Sequence, residues 1–342
     1  MVRDVAGLHA QVMSSAELTL WARVEGVDEL ASALWEDRTL VKTWAMRGTL
    51  HLLPADELGV WVAAQSMLKP RHETGAWLRY HGLTADQAEA MLEAIPQALD
   101  GRMLTREELA VEVSRLTGVE ALDGKLRGGF GDLLKPAAFR GELCFAPSEG
   151  RAVRFTRPDQ WLDSFSIPAM DDAAAEVARR YLSAYGPASR ETFARWFGSS
   201  SPAQSGKWLA RLGDELAEVE VDGAPLLMLA ADVEECAAAA GDGAVRLLPA
   251  FDHYVVAAPR DVDTVLPAAS RDAVYRAQGW ISPVLLVDGR IRGVWSSERF
   301  GSGVAVEIAP FSRVSRAVKA GAKVEAEALA AFMGGELKLT WA

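Results

Sequence analysis

The feature that most constrains this sequence is an order of elements that recurs along it. Between residues 171 and 229, helical patterns give way to two strand-like runs. Val177, Tyr181 and Tyr185 recur one helical turn apart, which gives a first helix one apolar face. After Gly186-Pro187, Ser189 has the character of an N-cap, with Glu191 in the first turn that follows. Phe193, Trp196 and Phe197 mark the buried face of a second helix, and a third fits residues 203–212. Leu216–Val221 alternates, Pro225–Leu229 is mostly apolar, and Asp222-Gly223 between them is a strong hairpin signal. Three short helices followed by a two-stranded ribbon is the order of a winged helix.

The same order occurs twice before. Thr105 caps a helix with Leu109, Val113 and Leu116 on one face, and Gly118 ends it. A second helix is expected over about 129–139, then a ribbon of E-L-C-F-A and R-A-V-R-F-T about a turn at 147–150. Nearer the start, 15–23 and 28–36 read as helices. V-K-T-W-A-M, a turn at Arg47-Gly48 and T-L-H-L-L make the first ribbon. No string repeats literally, so the array is one of element order.

The last third differs. Strands are expected at 244–249, 252–258, 283–288, 290–296 and 303–309, with a tight hairpin at Val287–Arg290. A helix over 314–332 and a strand E-L-K-L-T-W follow. The reading is α+β, with three tandem winged-helix modules and a β-rich domain. The first module with its connecting helices takes 1–100, the second 101–165, the third 166–240 and the β-rich domain 241–342.

Composition bears on the partner. The chain has 36 Lys and Arg against 47 Asp and Glu, a net charge of −11, which excludes a protein that coats itself in nucleic acid. The charge is uneven. From Lys125 to Arg157 there are seven basic residues (Lys125, Arg127, Lys135, Arg140, Arg151, Arg154, Arg157) against three acids (Asp132, Glu142, Glu149), a local +4. Lys69, Arg71, His72 and Arg79 form a second basic stretch. A basic inner face with an acidic exterior would satisfy both facts; the ordinary alternative is a solvated helix and wing.

Other classes are excluded by missing signatures. The two cysteines have no C-x-x-C spacing, and none of the five histidines sits in H-E-x-x-H, so no metal site is expected. No phosphate-binding glycine motif stands between a strand and a helix, so no cofactor is expected. No apolar run is long enough for a signal peptide or a membrane span. A cytoplasmic protein is the expectation.

Several strings are specific enough to carry a resemblance. G-L-H-A-Q at 7–11, L-W-A-R at 20–23, T-W-A-M-R-G-T-L-H-L at 43–52, L-L-P-A-F-D at 247–252 and V-D-G-R-I-R-G-V-W at 287–295 resemble the AlkZ/YcaQ family of bacterial DNA glycosylases. The third string is the most specific, and the resemblance covers nearly the whole chain. It implies three winged helices and a β-rich piece forming a C-shaped cleft for duplex DNA. It also implies a monomeric, monofunctional glycosylase that removes bulky alkylated purines, typically at guanine N7. Some members of the family protect producers of DNA-alkylating antibiotics.

The family's catalytic motif is Gln-x-Gln or Gln-x-Asp with an apolar middle residue. The matching positions here are His9, Ala10 and Gln11, so the second Gln is kept and the first is His. The chemistry suits such groups. An N7-alkylguanine already carries positive charge and leaves readily, creating an oxocarbenium-like sugar. The enzyme then needs a placed water and polar groups around the developing charge rather than a strong acid. A Gln carbonyl accepts from that water. A neutral imidazole with an ordinary pKa of ~6.5 can take its proton. No lysine nucleophile is expected, so an abasic site would remain. The plainer alternative is that His9 and Gln11 cap or bridge backbone at the head of the first module.

Arg47 and His51 flank the first ribbon and read either as phosphate contact and polar wall, or as an Arg paired to an acid. Asp252, in F-D-H-Y, matches an acidic position of the family and reads as an orienter of water or His, or as a turn acid at a strand end. Arg292 stands on the hairpin after Gly289 and can probe a groove, while Trp295 is expected in the core. The expected DNA contacts are Arg47, His51, Arg71, Arg127, Arg140, Arg154 and Arg292. Few residues precede His9, where the family usually carries a helical lead, so the support behind His9 and Gln11 is in question. A non-catalytic winged-helix regulator or lesion binder is the competing reading, and a drug-sequestering protein a third.

Overall fold

Local signals for helix ends and tight turns dominate the sequence, and the chain obeys most of them. A computed structural model describes every residue except 25–28, 71–72, 129–130, 199 and 261. The chain divides into two compact units, Met1–Gln11 with Asp28–Ala231 and Val12–Val27 with Asp232–Ala342. Among the described residues, no helix is long and apolar enough to cross a membrane.

In the first unit, Leu40–Trp44 and Leu50–Pro54 pair antiparallel, with Thr43 opposite His51. A third strand that the sequence did not disclose, Leu8–His9, adds to the free edge of Leu50–Pro54. It is only two residues long, too short to show a period-two pattern.

The next helices and ribbon start where the caps predict. Thr105 and Glu108 form a reciprocal capping box on Arg106–Thr117, and Gly118 ends that helix at φ 68°. Leu109 and Val113 are buried, but Leu116, in the last turn beside Gly118, stays 37% exposed. The single helix expected over 129–139 is replaced by two, Ala121–Arg127 and Lys135–Phe139. Gly128 leaves the helix in an extended conformation. Gly131 holds φ 82°, where an added Cβ would sit 2.5 Å from the Trp44 ring. Residues 129–130 lie outside the described set. Cys144–Glu149 and Ala152–Thr156 form the ribbon.

The last part of this unit follows the expected order closely. Helices Met170–Tyr185, Arg190–Phe197 and Pro202–Ala210 precede the hairpin of Leu216–Val221 and Ala224–Leu229. Ser189 caps the second helix in a box with Thr192. Phe193, Phe197 and Trp208 are fully buried against one another. Asp222 and Gly223 take φ of 52° and 79°, the two left-handed residues that a tight hairpin turn requires.

The second unit is built on a five-stranded sheet in the order Glu336–Trp341, Gly303–Pro310, Arg290–Phe300, Val284–Val287, Val245–Leu248. Only the first pairing is parallel; it follows the crossover helix Arg316–Phe332. Asp288 and Gly289, at φ 49° and 71°, make the expected tight hairpin. Trp295 is core, and its indole N–H donates to the Leu248 carbonyl at 2.8 Å. Two expectations are corrected. The strand placed at 290–296 runs on to Phe300. The strand placed at 252–258 is instead a short helix, His253–Ala257. The Asp252 carboxylate accepts from the Tyr254 N–H at 2.9 Å, an N-cap that outweighs the β-branched pair behind it. The helix Met13–Trp21, adjacent in sequence to the first ribbon, packs in this unit: Leu18 and Trp21 lie on its core, and Trp21 stacks on Phe332 at 5.5 Å.

Candidate active site on the first hairpin

The site follows from strand register. His9 lies directly opposite His51, and their rings meet edge to face at 5.6 Å between centroids. Pairing continues past the strand: the Ala10 N–H donates to the Leu50 carbonyl at 2.7 Å, and the Gln11 side-chain carbonyl accepts from the Leu50 N–H at 3.2 Å. Gln11 is exposed, whereas His9, Ala10 and His51 are buried.

Arg47 caps this group. It sits in the hairpin turn at φ 59°, a left-handed conformation rare for a long side chain. Its guanidinium lies 3.2 Å from His51 Nε2 and also donates to the Trp196 carbonyl. Gly198 presses against Arg47: a Cβ there would fall 2.8 Å from its Cα, and φ is 74°. Only glycine lets the two backbones approach so closely.

The tautomer of His51 follows from its partners. Nδ1 is 3.0 Å from the Thr49 carbonyl, which can only accept, so Nδ1 bears the proton. Nε2 is then the acceptor for Arg47. Burial first, then Arg47 and His9, holds the His51 pKa well below the usual imidazole value. Burial and Arg47 together push His9 down to about 3. Both rings are therefore neutral at pH 7. The ordinary imidazole value expected for His9 is corrected: it is a hydrogen-bond acceptor of low basicity.

The residues ahead of His9 are tied down. The Gly7 N–H donates to the Val2 carbonyl at 3.0 Å, and the Tyr185 hydroxyl donates to the Val5 carbonyl at 2.7 Å. Arg3 pairs with Asp56 and with buried Glu57, which Arg180 also engages at 2.6 Å. Gly7 holds φ 92° with the Leu53 side chain only 2.6 Å from where a Cβ would stand. Packing thus supports the backbone that leads into His9.

The other expected residues lie elsewhere. Arg127 pairs with Asp123 at 2.8 Å, Arg140 with Glu89 at 3.3 Å, and Arg154 donates to the Pro147 carbonyl at 2.7 Å. Arg71 lies outside the described residues. Arg292 and Asp252 belong to the second unit. Asp252 is fully buried and bound through both oxygens by Arg23, at 2.8 and 2.9 Å. Within its own unit it joins the helix Met13–Trp21 to the sheet domain. Three partners were missed by sequence reasoning: Thr49, Trp196 and Gly198. Their contribution is backbone or the lack of a side chain, which no residue-type signal discloses. Among the described residues, no three His, Cys, Asp or Glu side chains are grouped to hold a metal.

The family described as DNA glycosylase AlkZ-like matches residues 2–332. The chain is 41% identical over 304 residues to the interstrand DNA cross-link repair glycosylase of Streptomyces sahachiroi, covering 86% of this chain and 81% of that protein. The solved structure of the Streptomyces sahachiroi DNA glycosylase AlkZ superimposes with a TM-score of 0.88 at 38% identity, covering 100% of this chain and 92% of that one.

Proposed function

The chain belongs to the AlkZ-like DNA glycosylases, and on that premise we propose that it hydrolyses the N-glycosidic bond of bulky N7-alkylated purines in duplex DNA. Its being a DNA glycosylase rests on the relatives; the competing regulator and sequestering readings lose their ground there. The observation that carries the finer reading is the buried, neutral His9 at the motif position, beside exposed Gln11.

His9 and Gln11 act on one water. The Gln11 carbonyl and a neutral His9 nitrogen accept from it, fixing its lone pair toward the anomeric carbon. The departing base is already cationic, so little proton transfer is needed before the sugar carries its positive charge. A weakly basic His9 suits this: it orients water early and takes a proton only as the oxocarbenium ion is captured. Arg47 keeps His51 in one tautomer and His51 keeps the His9 ring edge-on. Lys42, one residue from Thr43 in its strand, faces the side away from His51 and lies over the Phe145 ring. The product in this reading is an abasic site, with water rather than an amine as the nucleophile.

The three successions of helices and hairpin along residues 1–240 are read as winged helices that hold the duplex. Arg154, Arg292, Arg71, Arg127 and Arg140 serve as phosphate contacts, the last two by exchanging a carboxylate for a phosphate. The β-rich domain taken over 241–342 completes what we propose is a monomeric, cytoplasmic enzyme. The relative is named for interstrand cross-link repair, which supports lesions that join both strands as substrates; self-resistance to a DNA-alkylating natural product is our proposed setting. Purified protein incubated with duplexes carrying N7-guanine adducts, then treated with alkali, should give strand breaks at the adduct. Intact strands across a panel from methyl to polycyclic groups would sink the reading.

A further inference from the structure

A cavity of about 610 Å³ opens beside the turn that carries Arg47. Its size falls within the ~300–1,000 Å³ of pockets that bury drug-sized ligands. The first ribbon supplies one wall through Arg47 and Gly48. A second wall is aromatic: Trp77, Tyr80 and His81 stand on the helix Gly75–His81. Trp77 and His81 are 4.3 Å apart between ring centroids, and Tyr80 meets His81 edge-on at 4.9 Å. Phe139 closes the far side.

These walls differ in stiffness. Trp77 and Phe139 pack onto the hydrophobic core behind them, so their rings are fixed. Tyr80 is 81% exposed and stands in water at the rim. A Cβ on Gly48 would lie 3.9 Å from both Lys135 and Phe139, so the hairpin turn rests against the wall without filling the cavity. The cavity therefore begins one side chain from the candidate site: Arg47 lines it, Arg47 binds His51, and His51 faces His9.

We propose that this cavity receives the planar aromatic part of an N7-linked adduct, the substituent rather than the base. The inference rests on the bulky-adduct reading above and names the feature of the substrate that is recognised. Flat aromatic walls stack on any π face, and such stacking is tolerant of substituents. Arg47 and Lys69 favour electron-rich rings and carbonyl-bearing ones. A methyl group on N7 is too short to enter, so the cavity separates lesions by what the alkyl group carries.

The test compares two duplexes, one with N7-methylguanine and one with N7-guanine bearing a planar tricyclic aromatic group. Equilibrium binding and single-turnover excision are measured for the native protein, Tyr80→Ala and Ser66→Trp. Tyr80 is exposed, so its removal costs the fold little; Ser66 lines the cavity at an exposed position, where an indole would fill it. The native protein should bind the tricyclic duplex about 10-fold more tightly than the methyl one, the order expected of one stacked ring. Each variant should abolish that preference and leave the methyl duplex unchanged. A native protein without preference overturns the inference, as does a preference that survives both substitutions. Preference without excision of either duplex upholds the inference and overturns the proposed function.

Discussion

Two buried polar groups, one in each unit, show how differently the same materials are used. In the second unit Asp252 is fully buried, and Arg23 satisfies both its oxygens while the Tyr254 N–H takes one again. Charge meets charge, and the carboxylate serves to join two elements of the fold. In the first unit His9 and His51 are buried as well, but they are kept neutral, with the Arg47 guanidinium beside them. The first arrangement is a rivet. The second holds rings in one orientation next to a cavity and beside an exposed Gln11.

The comparison breaks most visibly if the functional group of each site is removed. His9→Ala should slow adduct excision by ~10²–10⁴-fold, the range of a positioned acid–base group, while duplex binding holds. Gln11→Ala should act in the same direction. Parallel loss of binding in both would reassign them to the fold. Asp252→Ala should instead cost ~3–5 kcal/mol in urea unfolding, because Arg23 is left without its buried partner. Excision by the surviving folded fraction should be near native. A normal unfolding curve with abolished excision would move Asp252 into the chemistry.

Acid sharpens the same contrast. His9, His51 and His253 have folded pKa values below the ordinary ~6.5, so the unfolded chain binds protons that the folded one does not. Stability therefore rises with pH between the folded and unfolded values, and is lost on acidification from ~6.5 downward, by about 1.4 kcal/mol per pH unit per histidine. For His9 that window extends to about 3 and for His253 to about 4. Urea titrations at pH 7 and pH 5 check it; equal stabilities would mean the rings are solvated. Excision rates of folded enzyme should lack the inflection near 6.5 that an unperturbed histidine base would give. The smallest effect is expected at the surface: Arg127→Ala removes half of a solvent-exposed pair with Asp123, and the urea unfolding midpoint should stay at its native value.

Much of the architecture was legible because its signals are local. Thr105 and Ser189 announce helix starts, Gly118 announces an end, and Asp222-Gly223 and Asp288-Gly289 announce turns, each through backbone chemistry confined to a few residues. What was missed depends on distant partners. The strand Leu8–His9 exists only because Leu50–Pro54 has a free edge, and the helix Met13–Trp21 packs on a core more than two hundred residues downstream that includes Trp295. Of the candidate site, motif placement supplied His9, Gln11, Arg47 and His51, but neither their register nor their neutrality. The +4 counted along residues 125–157 also reads differently in three dimensions. Asp123, Glu89, Asp100 and Asp159 enter from outside that stretch to pair with Arg127, Arg140 and Arg157.

The grip of Trp196 and Gly198 on Arg47 has a consequence in time. The hydrogen bond that orients the turn joins residues 149 apart in sequence. A chain emerging from the ribosome carries His9 and Gln11 well before residues near 198, and the turn above them stays unbraced until those residues have followed. The polar cluster is thus assembled last among the parts it needs, and an unfinished chain holds the motif without its bracing.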